Sequence, residues 1–317
     1  MLRSLNSLIT RLWPVPPETV SLGINGDRLV VVRAKRTATG YHISHLAQER
    51  LPFTPFMGTN PRAEDSTNLT RAIQKLAIAI PQWHLPLQIA LPDPAGIFRV
   101  MKFDSLPATD RERAAITRFR LEKEWSAVAE MECTTQVLGE GSNPNFVLAL
   151  AIQRSWLDCL RNACRSAGWV PNVIDIAVNH LFNRIHDLII ETKGDGALIS
   201  IEADSWSIIF WDQTHRPRFV RSLWRDSCDR SNADYEMIAK DVERLVRAYV
   251  HAEIGRNIEK VYLSVAEEES AEFSRWLDAR MRVPCEYFNV TKEFTVDTTV
   301  SIRDIAPGVL AAAVPRL

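Results

Sequence analysis

The chain has 317 residues, 38 Lys+Arg against 39 Asp+Glu for a net charge of −1, with 46% hydrophobic and 24% charged residues. This balance is that of an ordinary soluble globular protein and offers no global electrostatic case for binding nucleic acid. At about 150 residues per domain it leaves room for two domains, with a core large enough to need no metal or disulfide staple.

Residues 1–18 predict an amphipathic helix and a proline-rich link. Leu2, Leu5, Leu8, Ile9 and Leu12 fall at helical spacing, Ser and Asn interrupt any secretory apolar run, and Pro14, Pro16 and Pro17 stop the helix. Such a helix suits docking on the chain's own domain, with a membrane surface or a partner as the other option. No apolar run approaches the ~18 residues that span a bilayer. A meander follows: strands at 19–24, 28–36 and 41–51, joined by turns at Asn25-Gly26-Asp27 and Thr39-Gly40. After a loop at 52–66, Leu69, Ile73, Leu76 and Ala77 mark a helix over 67–80. Strands at 87–92 and 98–103 lead to a helix at 108–125, capped by Thr109 or Asp110. A hairpin of 133–139 and 145–153 comes next, then a helix at 155–168 closed by Gly168, a strand at 171–177 and a helix at 178–190.

Thr192–Gly196 is a turn-rich break, and beyond it the first pattern returns. Strands at 196–203, 205–212 and 216–224 precede a long helix at 233–254, capped by Ser231 or Asn232, with Ile238, Val242, Leu245, Val246 and Tyr249 on one face. A strand at 260–265, a helix at 268–281, a strand at 285–290 and a small-residue helix at 305–315 complete the chain. A duplicated β-β-β-α-β-α unit with a small α/β insertion is the plan of the actin-like (RNase H-like) fold. It divides the chain into 1–18, a first half of 19–85 plus 171–191, an insertion of 86–170, and a second half of 192–317.

Other constellations are poor in chemistry. Cys133, Cys159, Cys164, Cys228 and Cys285 form no C-x-x-C pair and no zinc spacing, and read as buried thiols of a reducing compartment. His42 and His45 are an odd number of steps apart on one strand and are expected on opposite faces, as are Trp206 and Trp211. No nucleophile–base or acid–base pair stands out, so no catalytic residue and no metal site is assigned.

Several stretches carry a family likeness. "VSLGINGDRLVVVRA", "IALPDPAGIFRVMKFDSLPATDRERAAITRFRLEKEW", "CRSAGWVPNVIDIAVNHLFN", "RPRFVRSLW" and "MIAKDVERLVRAYV" stand in the order of the corresponding segments of one family. Over about residues 19–315 the chain resembles the PilM family, the actin-like component of type IV pilus assembly, with the related MSHA-pilus protein MshI and the cytoplasmic part of the secretion protein GspL. The resemblance implies a non-catalytic cytoplasmic scaffold at the inner face of the bacterial inner membrane. It would bind the cytoplasmic tail of a PilN-like membrane protein and reach the membrane peripherally through partners, with self-association left open. It also implies a groove for that tail between the first half and the insertion. Candidate walls are Phe98, Val100 and Phe103 on the strand, and Ile116 and Phe119 on the following helix.

The fold also implies a nucleotide cleft, whose phosphates would face the first hairpin turn of each half. In the PilM family these turns carry glycine and hydroxyl residues. Here the three places read Asn25-Gly26-Asp27, Glu202-Ala203-Asp204 and Val265-Ala266-Glu267. Gly26 allows close backbone approach, but Asp27, Glu202, Asp204 and Glu267 put carboxylates where anions would sit. Glu202 and Asp204 could instead hold Mg²⁺. The expected state is a degenerate site with no cofactor. Residual ATP/Mg binding, and a working actin-like ATPase, stay open as the alternative.

Overall fold

Two sheets of matching strand order organise the computed structural model, which describes residues 18–58, 60–80, 85–139, 146–190, 192–225, 232–252, 257–265, 267–281, 283–296 and 305–314. The N-terminal helix expected over residues 1–18 lies outside this range but for Glu18. The first sheet takes β1 (Glu18–Asn25), β2 (Arg28–Arg36), β3 (Tyr41–Arg50), β4 (Leu87–Leu91), β8 (Pro171–Ile176) and β14 (Phe294–Val296), in the order β14-β3-β2-β1-β4-β8. The second takes β9 (Asp195–Ile201), β10 (Ser205–Trp211), β11 (Pro217–Trp224), β12 (Ile258–Ser264) and β13 (Cys285–Tyr287), in the order β11-β10-β9-β12-β13. In both, an antiparallel meander is extended by parallel strands beside its first member. The duplicated plan is therefore real in space.

Local chemistry explains the elements. Helix α1 (Ala63–Ala79) buries Leu69, Ala72, Ile73 and Leu76 on one stripe. It starts four residues before the expected 67, because Asp65 accepts the Arg62 N–H at 2.9 Å and satisfies an end donor. Between β5 (Gly96–Lys102) and β6 (Met131–Leu138), helix α2 (Asp110–Glu124) opens where expected, with Thr109 accepting from Glu112 N. Helix α3 (Arg154–Ser166) ends at Gly168, whose φ of 76° lets Trp169 N reach Cys164 O at 2.9 Å. It lies against α1, and Trp156 stacks on Phe53 and Phe56.

Helices α4 (Ala177–Ile189) and α7 (Pro307–Ala312) pack on one another, and α7 reaches β1 and β4. Their side chains merge into one core with Leu198, Ile209, Trp211 and Tyr262 of the second sheet. The approach is close: a Cβ at Gly308 would collide with Ala177, and one at Gly23 would fall inside the Val309 side chain. The far face of the second sheet is covered by α5 (Asn232–His251) and α6 (Glu267–Met281) over a separate core. Trp206 faces that core and Trp211 the other, as alternation requires.

Three expectations change. The insertion is smaller than 86–170. Strand 87–91 sits inside the first sheet, parallel to β1 and β8, and α3 packs on α1, so the insertion reduces to the antiparallel sheet β5-β7-β6, with β7 (Phe146–Gln153), and α2. The second half is also shorter than 192–317: β14 pairs with β3 and α7 packs on α4, returning the chain to the first half. Last, His42 and His45 share a face. A bulge at Ser44 sets His42 opposite Lys35 and His45 opposite Arg33, and one extra residue reverses the side-chain alternation.

Candidate functional site

The two hairpin turns meet. The first is a two-residue turn with Gly26 at φ 60°, a conformation that favours glycine at the first central position. Its Gly26 N–H donates to Asp204 Oδ2, on the second turn, at 2.9 Å. Asn25 closes the end of β1 opposite Arg28. Asp27 does not crowd the cleft as expected; its carboxylate is paired with Arg50 of β3. Glu202 is buried, and its Oε1 accepts Gly308 N–H at 3.5 Å. Glu267 opens α6, beyond the end of β12 that lies beside β9, so its backbone is on the same end of the sheet as Glu202.

Two residues missed by sequence reading complete the cleft. Arg225 donates through its backbone N–H to Asp204 O at 2.8 Å, and through Nη1 to Glu202 O at 2.7 Å. Its Nε reaches Asp234 Oδ2 at 2.9 Å, and the two side chains are 2% and 5% exposed. Asp93, in a 3₁₀ turn directly after β4, accepts from Val178 N at 2.6 Å and from Ser207 Oγ at 2.6 Å. It thereby links the start of α4 to the second sheet.

Burial is the largest influence on Asp93, and with nearby Asp204 and Asp175 it pushes the carboxyl up to about 7, against the lowering effect of its hydrogen bonds. Burial also raises Asp204, opposed mainly by the Gly26 N–H. A folded-state value raised above the unfolded one stabilises below the ordinary carboxylate range, and that stability is lost as pH rises through about 7. The stability of wild type relative to D93N is therefore expected to fall between about pH 4 and pH 7 and then level off; urea midpoints at each pH read this directly. Parallel pH profiles for the two proteins would contradict it.

The residues present do not fit a nucleotide phosphate. A turn binds phosphate through free backbone N–H groups, yet Gly26 N–H is engaged by a carboxylate, and Glu202 and Asp93 add further acid. Among the described residues, no three His, Cys, Asp or Glu side chains are gathered to hold a metal ion.

The expected peptide wall is not one surface. Phe98 of β5 and Phe103, one residue past its end, are both buried but in different cores, with Val100 partly buried on the Phe98 side. Ile116 and Phe119 lie exposed on α2, Phe119 under the Lys123 ammonium at 4.6 Å. A groove does exist between the insertion and the first half, with other walls and a volume of about 330 Å³. Leu150 and Ile152 of β7 meet Leu157 of α3, Trp169 and Ile174, with Arg161 and Arg165 along one rim. Arg161 spans it to Glu132 with two bonds of 2.7 Å. The outermost strand of each sheet, β6 and β8, borders it. The sequence signals were weak: an apolar run at 146–153, and arginines four apart on a helix.

Two halves of matching sheet order, joined at their first hairpin turns, define an actin-like fold. The chain is similar to a chain of the PilM-PilN type IV pilus biogenesis complex, at 18% identity and a TM-score of 0.70 over 94% of this chain and 97% of that one. It is also similar to a Bacteroides thetaiotaomicron protein of actin-like ATPase fold and unknown function, at 10% identity and a TM-score of 0.55 over 87% and 92%. No protein-family model and no curated protein sequence matches it. Among the described residues no helix is long and apolar enough to cross a membrane.

Proposed function

We propose that this chain is a non-catalytic scaffold of type IV pilus biogenesis, of the PilM/MSHA kind. It acts at the cytoplasmic face of the inner membrane and holds the cytoplasmic tail of a PilN-like membrane protein. The observation that carries the reading is the groove between insertion and first half, in a chain that follows the fold of the PilM-PilN structure over 94% of its length. Its floor is apolar, and two outer strands offer main-chain donors and acceptors to an extended peptide. The cleft is read as a degenerate nucleotide site, which supports a binding role over hydrolysis.

Calorimetric titration with the tail peptide of the neighbouring PilN-like protein tests this. Saturable binding is expected, and silence at high micromolar peptide would overturn it. Val170 lines the groove and is 76% exposed, so a charge there spares the core. V170D is expected to weaken the tail about tenfold or more, a loss of about 1.4 kcal/mol, with an unchanged melting temperature.

A further inference from the structure

We propose that the two acids of the second hairpin turn form a latch that fills the cleft's anion place from within and keeps the two halves closed without a ligand. The inference rests on reading the cleft as a non-nucleotide site and says what occupies it instead. A backbone N–H presented by a positive-φ turn is an anion donor; here its acceptor comes from the opposite half, Asp204 Oδ2 at 2.9 Å from Gly26 N. Glu202, two residues earlier, reaches Gly308 N of α7 at 3.5 Å. Asp93 makes a third crossing in the other sense, taking Val178 N–H from the first half and the Ser207 hydroxyl from the second.

The second turn is also fixed from behind. Arg225 holds the carbonyls of both Glu202 and Asp204, and is itself held by Asp234. Asp204 is thus a tethered anion on a rigid turn. A carboxylate tethered at this range competes at an effective concentration of millimolar or more, so a free phosphate must outbid it before it can bind. The acids that break the expected phosphate chemistry therefore supply the bridge that a bound anion would otherwise make.

Amide hydrogen exchange on the full chain tests the latch, read on the segment 22–32 that contains Gly26. In wild type the Gly26 amide is expected to be protected, and about 5 mM Mg-ATP should leave its rate unchanged, as the tethered acid keeps the place. D204A is expected to speed exchange there at least tenfold while α1 and β12 keep their rates. If D204A does not fold, D204N, which retains an uncharged acceptor, should show a smaller rise at the same amide. A wild-type Gly26 amide that exchanges as fast as in the variant, or one that slows with Mg-ATP, would overturn the latch. Tail titration is unaffected by either result, so the latch and the scaffold reading fail separately.

Discussion

Replacing Arg225 with alanine is expected to destabilise the protein by about 3–5 kcal/mol, the cost of leaving one partner of a buried ion pair uncompensated. Asp234 would remain buried with its charge unpaired, and the Glu202 carbonyl would lose its Nη1 donor, while the backbone N–H at position 225 still donates to Asp204 O. Two readouts separate the effects. Urea unfolding reports the loss of stability, and exchange over 199–209 reports loosening of the second turn. The double variant R225M/D234L, which removes both charges, should recover much of the stability, since apolar replacements of buried pairs are often neutral. It should not recover the protection of the turn, because methionine cannot donate to Glu202 O. If R225A behaves as a surface substitution, the pair has no structural role and the rigidity of the turn must come from elsewhere.

Trp211→Ala is expected to cost a similar amount, about 3–5 kcal/mol, as a large-to-small change in a closed core. The indole is 1% exposed and touches both halves: Phe182 of α4 at 5.9 Å between ring centroids, and Tyr262 of the second sheet at 6.1 Å. Gly196 lies so close beneath it that a side chain there would strike the ring, so little nearby structure is free to fill the cavity. W211F keeps a ring against Phe182, and the indole N–H of Trp211 has no hydrogen-bond partner among the described residues, so W211F should lose clearly less than W211A. Equal losses would mean that ring packing is not what joins the halves. The measurement is the urea midpoint, with near-ultraviolet dichroism to report whether the two halves loosen together.

The actin-like plan was legible because it rests on local periodicity. Alternating strands, short turns and amphipathic helices occur twice in the same order, and those patterns come from residues within a few positions of one another. The elements that escaped lack such patterns. β14 is three residues long and is a strand only because β3 lies beside it. The bulge at Ser44, which brings His42 and His45 to one face, leaves no trace in composition. The strand at 87–91 reads the same whether it belongs to the insertion or to the first sheet, since pairing partners are not written in a strand's own residues.

For the site, the sequence by itself determined that the turns at Asn25-Gly26-Asp27 and Glu202-Ala203-Asp204 are acidic, and that glycine permits close approach at one of them. Only the tertiary structure decided what those acids do. Asp27 turns to Arg50, whereas Asp204 crosses to Gly26, and the two differ in partners that lie 23 and 178 positions away in the chain. The same reason sets the groove between insertion and first half at Leu150, Ile152 and Val170 rather than at Phe98 and Phe103. Side-chain type sets what a residue can bond to, but whether a carboxylate repels a ligand or replaces one depends on which backbone N–H the fold brings within about 3 Å of it.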